Sequence, residues 1–299
     1  MYIHKYSKWG LIIMNEFVKS HGLGNEYIVL NSEKLSFELN ENAIKMICNI
    51  NFGIGSDGLL LKVPSDKADF GLKIFNPDGS EAEKSGNGLR IFCKYIYDYK
   101  FSKTRKFTVE TLGGIVKADI LEVKNDKAAM IRIDMGKAVF CSRDIPTSFT
   151  KEEVIGEEIR VLDKDFEVNC VSIGNPHCVV IKEDLDIDEI KKYGPYLEKH
   201  EMFPNKTNVQ FVKVISRNEV EVLIWERGAG FTLASGTSSC AVVSVLKKRN
   251  LVENKVKVKL LGGELIIDID DEYNVRMTGP ARQSAEGVLS SEFIEDIEK

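Results

Sequence analysis

Ser85-Gly86-Asn87-Gly88-Leu89-Arg90-Ile91-Phe92-Cys93-Lys94-Tyr95-Ile96-Tyr97 is the stretch whose reading decides the fold. Glycines before an apolar run let the backbone turn tightly into a helix. Leu89, Ile91, Phe92, Cys93, Tyr95 and Ile96 leave that helix almost no polar face, and a helix apolar all round is buried all round. The stretch has a counterpart: Ser235-Gly236-Thr237-Ser238 opens a second apolar segment, Cys240 to Leu246, with the two serines 150 residues apart. A second echo, Leu112-Gly113-Gly114-Ile115-Val116 and Leu261-Gly262-Gly263-Glu264-Leu265, repeats at an offset of 149. A common offset near half the chain predicts two similar halves, each a buried helix surrounded by strands of its own half. The second segment is rich in valine and also reads as a strand, since a short apolar run does not decide between the two.

Most other patterned segments read as strands. Ala68–Phe75 alternates and ends in the turn Asn76-Pro77-Asp78-Gly79-Ser80. Phe107–Thr111, Met130–Met135, Phe166–Ile173, Val209–Ile215, Val220–Trp225, Val256–Leu261 and Leu265–Ile269 follow the same period. Helices are expected at Asn42–Asn49, at Asp188–Tyr193 and after each serine motif. The expected fold class is α+β, with domains at 14–140 and 141–275, a boundary near 136–150 and residues 1–13 as an extension. The acidic tail after Gln283 reads as a short surface helix.

A chain of 299 residues with 43% hydrophobic and 29% charged residues is an ordinary globular protein. Its net charge of -5 offers no basic footprint, so no nucleic-acid partner is expected. Leu11–Met14 is too short for a signal-peptide core or a membrane span, so no membrane association and a cytoplasmic location are expected. The six cysteines show no CxxC spacing and read as reduced thiols, and the four histidines lack ligand spacing. No metal and no cofactor are expected.

Glycine-rich helix starts favour an anion, because their first N–H groups have no carbonyl within the helix. Two such starts suit a carboxylate substrate whose neighbouring carbon loses a proton on one face and regains it on the other. The bland alternative is two tight turns with serine caps.

In many segments the chain resembles the diaminopimelate epimerase family of cofactor-independent epimerases and racemases. The resemblance rests on His21-Gly22-Leu23-Gly24-Asn25, Phe52-Gly53-Ile54-Gly55-Ser56-Asp57, Phe75-Asn76-Pro77-Asp78-Gly79-Ser80 and Ser85-Gly86-Asn87-Gly88. It continues through Gly174-Asn175-Pro176-His177-Cys178, Thr207-Asn208, Glu226-Arg227-Gly228-Ala229-Gly230, the second serine motif and Met277-Thr278-Gly279. It implies two pseudo-symmetric domains, each a mostly antiparallel sheet rolled around a central helix, with the active site in the interdomain cleft. It also implies that the strand near Met277 returns to the first domain; members of that family often form homodimers.

The implied reaction interconverts LL- and meso-diaminopimelate, a small amino-acid substrate of lysine and cell-wall biosynthesis. The family's two acid–base cysteines correspond to Ser85 and Ser235. A thiol has a reference pKa of about 8.5 and is lowered further at a helix start. A serine hydroxyl does not titrate near neutrality and needs a partner; His177 is the candidate assisting residue. Cys93 and Cys240 lie too far along their helices to substitute. The resemblance assigns substrate binding to Asn25, Asn76, Asn175, Asn208, Glu226 and Arg227, with backbone amides from Gly86, Asn87, Gly236 and Thr237. Gly58 sits where the family carries glycine or glutamine, while Phe231 and Ser238 stand where an acidic residue and a glycine are frequent. Two other functions fit: an epimerase, racemase or dehydratase for another acid, and a non-catalytic amino-acid-binding homologue.

Overall fold

The first two strands, β1 (Lys5–Tyr6) and β2 (Ile12–Ile13), pair antiparallel in the computed structural model of the protein, which describes residues 5–6, 12–13 and 15–299. The rest of the extension expected over residues 1–13 lies outside the described residues. β3 (Glu16–Gly22) and β4 (Asn25–Asn31) form an antiparallel hairpin. Its turn, Leu23-Gly24, has φ of 60° and 91°, the positive values that match a two-residue turn to the twist of its strands. The turn therefore places Asn25 at the first position of β4.

After α1 (Glu41–Cys48), β5 (Leu59–Val63) lies parallel to β4. β6 (Phe70–Phe75) runs antiparallel to β5, and β7 (Glu81–Ala82) folds back on β6 through the turn at 76–80. α2 (Gly86–Asp98) follows, then β8 (Lys106–Thr111), parallel to β6, and β9 (Gly114–Lys124), antiparallel to β8. The chain leaves this unit within β10 (Lys127–Lys137), after Ile131.

α2 packs against β3, β4, β5 and β9, and every residue in it except Tyr97 is buried. Full burial forces its polar side chains to find partners inside. Lys94 Nζ lies 2.8 Å from Asp98 Oδ2 and donates to the Ala128 carbonyl at 2.9 Å, while Asp98 Oδ1 accepts the Ala128 N–H at 2.7 Å. One ion pair thus clamps the helix end to the start of β10. Asp98→Ala leaves the buried Lys94 ammonium unpaired and is expected to destabilise the fold by about 3–5 kcal/mol, measured by urea unfolding.

The second unit, Arg132–Gly279, repeats this pairing order. β11 (Ile155–Val161) and β12 (Lys164–Ser172) are antiparallel, as are β12 and β13 (Pro176–Ile181). α3 (Ile187–Glu198) leads to β14 (Asn208–Ser216), parallel to β13, and β15 (Glu219–Glu226) runs back along β14. β16 (Gly230–Thr232) folds onto β15 before α4 (Gly236–Lys248). β17 (Lys255–Leu260) lies parallel to β15, then β18 (Gly263–Ile269) and β19 (Asn274–Gly279) close the set antiparallel. The same alternation of antiparallel and parallel neighbours around one buried helix makes the two units pseudo-symmetric, and the fold class is α+β.

The valine-rich segment is a helix, not a strand. It packs against β12, β13, β14, β18 and β19, and its serines bond back to the helix, Ser239 to the Ser235 carbonyl at 2.8 Å and Ser244 to the Cys240 carbonyl at 2.7 Å. Burial inside the sheet outweighs the strand preference of valine. α3 extends past the expected Tyr193 through Gly194 and Pro195 to Glu198. Glycine is required at 194, because a Cβ there would meet the Trp225 ring at 2.8 Å. The first passage between units falls inside the unbroken β10, which carries no turn signal, and not at 140/141. The strand holding Met277 stays in the second unit, paired with β18; the strand that returns is β20 (Arg282–Val288), antiparallel to β3. The tail after Gln283 is thus strand first and helix second, α5 (Ser291–Ile297), which begins on the Ser290 cap. Among the described residues no helix is long and apolar enough to cross a membrane.

Candidate active site

In each unit the helix that opens on a serine and a glycine gathers residues singled out in its half. In the first unit Ser85 is the N-cap of α2, and its Oγ accepts the Gly88 N–H at 3.0 Å. Gly86 and Asn87 form the first turn, where N–H groups have no carbonyl of their own helix to bind. A directed chain of side chains steadies this turn. Arg90, fully buried, donates to Asn87 Oδ1 at 2.9 Å; Asn87 Nδ2 donates to Asn25 Oδ1 at 3.0 Å; Asn25 Nδ2 donates to Asp57 Oδ2 at 2.9 Å. Asn76 is exposed, and its Nδ2 donates to Ser80 Oγ at 2.9 Å, so its side chain closes the turn after β6.

In the second unit Ser235 is the N-cap of α4 but makes no side-chain cap bond. Its Oγ donates to Glu226 Oε2 at 3.2 Å and lies 3.5 Å from Thr237 Oγ1. Gly236 and Thr237 form the first turn of α4. Asn208 is buried and spends both ends of its amide on backbone: Nδ2 donates to the Pro176 carbonyl at 2.9 Å and Oδ1 accepts the Arg227 N–H at 3.0 Å. It ties the Asn175–His177 segment to the Glu226–Gly230 turn. Arg227 is exposed, with one guanidinium N–H directed at the Asn205 carbonyl.

His177 is fully buried and is not the partner of Ser235. Its Nε2 lies 2.8 Å from Asn175 Oδ1, an atom that only accepts, so Nε2 carries the proton. Nδ1 therefore accepts from Gln210 Nε2 at 3.1 Å, and Gln210 also donates to Ser238 Oγ at 3.0 Å. Burial, then the Arg227 charge, hold the His177 pKa down to about 3. The imidazole stays neutral and orients Asn175. The group that stands at Ser235 is the Glu226 carboxylate. Cys93 is buried within α2, and burial pushes its thiol up; Cys240 is equally buried, so neither replaces a serine.

Four residues of the two half-sites escaped the sequence reading. Tyr27 places its hydroxyl 3.2 Å from Ser85 Oγ; its spacing of two from Asn25 on one strand puts both on the same face, a signal that was available. Asp57 anchors Asn25, and Gln210 joins His177 to Ser238. Glu198, buried at the end of α3, accepts Trp225 Nε1–H at 2.8 Å and the Gly228 N–H at 3.2 Å, fixing the turn that carries Glu226 and Arg227. Nothing local marks Glu198, since its partners lie about thirty residues away.

A sheet wrapped on a buried helix, built twice, with a serine at each glycine-rich helix start, defines a class of two-unit α+β proteins with paired polar half-sites. The family model described as diaminopimelate epimerase matches residues 17–141 and 169–283. A protein of Nostoc sp. named diaminopimelate epimerase 2 is 47% identical over 279 residues, covering 93% of this chain and 96% of that one. A diaminopimelate epimerase of Methanococcus maripaludis is 44% identical over 275 residues, covering 92% and 99%. Among solved structures, a probable proline racemase from Agrobacterium radiobacter superposes with a TM-score of 0.70 at 13% identity, covering 92% of this chain and 93% of that one. A hydroxyproline epimerase from Agrobacterium vitis gives 0.70 at 12%, covering 92% of each; these two likenesses concern the fold alone. The chain belongs to the diaminopimelate epimerase family.

Proposed function

We propose that this protein is an isomerase that interconverts LL- and meso-diaminopimelate, a small amino-acid substrate of lysine and cell-wall biosynthesis, by moving the α-proton without a cofactor. Relatives that carry that name and are 44–47% identical over more than nine-tenths of the chain support the substrate. The observation that carries the chemistry is the Ser235 hydroxyl on the Glu226 carboxylate at 3.2 Å. With its proton committed to a carboxylate, Ser235 Oγ turns its lone pairs outward as an acceptor for an α-proton, passing its own proton to Glu226. Glu226, assigned to substrate binding by the resemblance, thereby acts at the reacting end. Ser85 acts on the other face.

In this reading the first-turn amides of Gly86 and Asn87, and of Gly236 and Thr237, receive the carboxylate beside the reacting carbon, where charge develops as the proton leaves. Arg227 takes the distal carboxylate. Asn175 and Asn76 touch the substrate, whereas Asn25, Asn208 and His177 hold the segments that do. A homodimer, a cytoplasmic location and the lack of a nucleic-acid partner belong to the same proposal.

Incubation with LL-diaminopimelate in deuterated water tests the reading. The expected result is meso product carrying α-deuterium. No deuterium above background overturns it, and binding without exchange points to an amino-acid-binding homologue.

A further inference from the structure

Ser85 poses a harder problem than Ser235, because among the described residues no carboxylate is bonded to its hydroxyl. The titratable side chain beside it is Tyr27, with its hydroxyl 3.2 Å from Ser85 Oγ. Tyr27 is buried to 9% exposure, and the hairpin turn that places Asn25 also aims Tyr27, two residues on, from the same face of β4. Gly58 makes room for the ring: a Cβ there would lie 2.6 Å from Tyr27 Cε1 and 2.6 Å from the Phe75 carbonyl oxygen. Any side chain at 58 displaces the phenol from Ser85.

We propose that Tyr27 is a positioning residue for proton transfer at Ser85: its phenol donates to Ser85 Oγ, turns the serine proton outward and holds the charge left on oxygen. The inference rests on the reading of Ser85 as one of the two proton-transfer groups. Ser85 Oγ already accepts the Gly88 N–H at 3.0 Å. When Tyr27 donates as well, both lone pairs are engaged and the serine proton is left to face the substrate. In the delivery step the Ser85 O–H bond breaks and its proton joins the α-carbon, whose electron pair forms the new C–H bond. The O–H pair stays on Oγ, shared with the Gly88 N–H and the Tyr27 O–H, and water returns a proton once product leaves. A lone alcohol is too weak an acid for this step near neutrality. A phenol of reference pKa about 10 brings an acidic donor to it, whereas a thiol of about 8.5 needs no such help. Ser85 is thus biased toward donating and Ser235, bound to Glu226, toward accepting.

A double-mutant cycle tests the proposal through α-deuterium exchange on diaminopimelate. Tyr27→Phe in the parent protein is expected to lower exchange by about 10–100-fold, the loss of a hydrogen bond to a charged group. In an S85C background, where a thiolate holds its own charge, the same change is expected to cost at most about three-fold. Peptide-resolved alkylation of the S85C thiol against pH supplies a second readout that does not depend on turnover. Y27F is expected to raise the apparent pKa of that thiol by about one unit, because a donor to the thiolate is lost. Equal losses of exchange in both backgrounds, with the alkylation profile unmoved, overturn the role of Tyr27 and leave the reaction standing. No exchange in the parent protein overturns the reaction and this role together.

Discussion

Ser235→Ala is expected to cut α-deuterium exchange on diaminopimelate by about 10²–10⁴-fold, the contribution of a positioned acid–base group. The carbon–hydrogen bond then faces a methyl group, and Glu226 has no hydroxyl through which to take the proton. The stability of the variant is expected to stay within about 0.5 kcal/mol of the parent, because Ser235 Oγ makes no cap bond to α4. Ser85→Ala separates the two effects differently. Its Oγ caps the Gly88 N–H, so this change is expected to lose about 1 kcal/mol of stability as well as exchange. Measuring exchange and urea midpoints on both variants checks the pair. An S235A protein that exchanges at the parent rate removes Ser235 from the reaction.

Acidification is expected to destabilise the second unit through His177. The unfolded chain takes up a proton on this residue near pH 6.5, whereas the folded protein does so only near pH 3. Between those values the unfolded state binds more protons, so stability that is fully present above pH 6.5 is lost as pH falls. The loss accumulates through that window at on the order of 1 kcal/mol per pH unit. Urea unfolding at pH 7 and pH 4 measures the loss. His177→Gln is expected to be less stable at pH 7, since Asn175 and Gln210 lose their imidazole, but to show a flatter decline toward pH 4. Equal slopes for parent and variant would show that the protonation cost of His177 is borne elsewhere.

Much of the fold was legible because it is periodic. The burial of α2 follows from six apolar residues that cover every face, and the strands of both units follow from alternation between turns. The shared offset of the serine and glycine motifs announced two like halves before any strand was paired. The polar half-sites were legible in part, since Ser85, Gly86, Asn87, Ser235, Gly236 and Thr237 all stand at helix starts. What stayed hidden were partnerships across long sequence gaps. Tyr27 reaches Ser85 over 58 residues, and Glu198 reaches Gly228 over 30. His177 was legible as a candidate assisting residue, but its burial against Asn175 and Gln210, which keeps it neutral, was not.

By itself the sequence determined two buried helices, each opened by a serine and glycine, within strands of matching order, because periodicity and turn chemistry act over neighbouring residues. Only the tertiary structure decided what each serine oxygen can do. Ser85 Oγ accepts the Gly88 N–H and lies 3.2 Å from the Tyr27 hydroxyl, whereas Ser235 Oγ donates to Glu226. The two motifs read alike, yet the polarity of a hydroxyl depends on which donors and acceptors the fold brings to it. That is set by strand pairing and close packing at residues such as Gly58, not by the residues beside it in the chain.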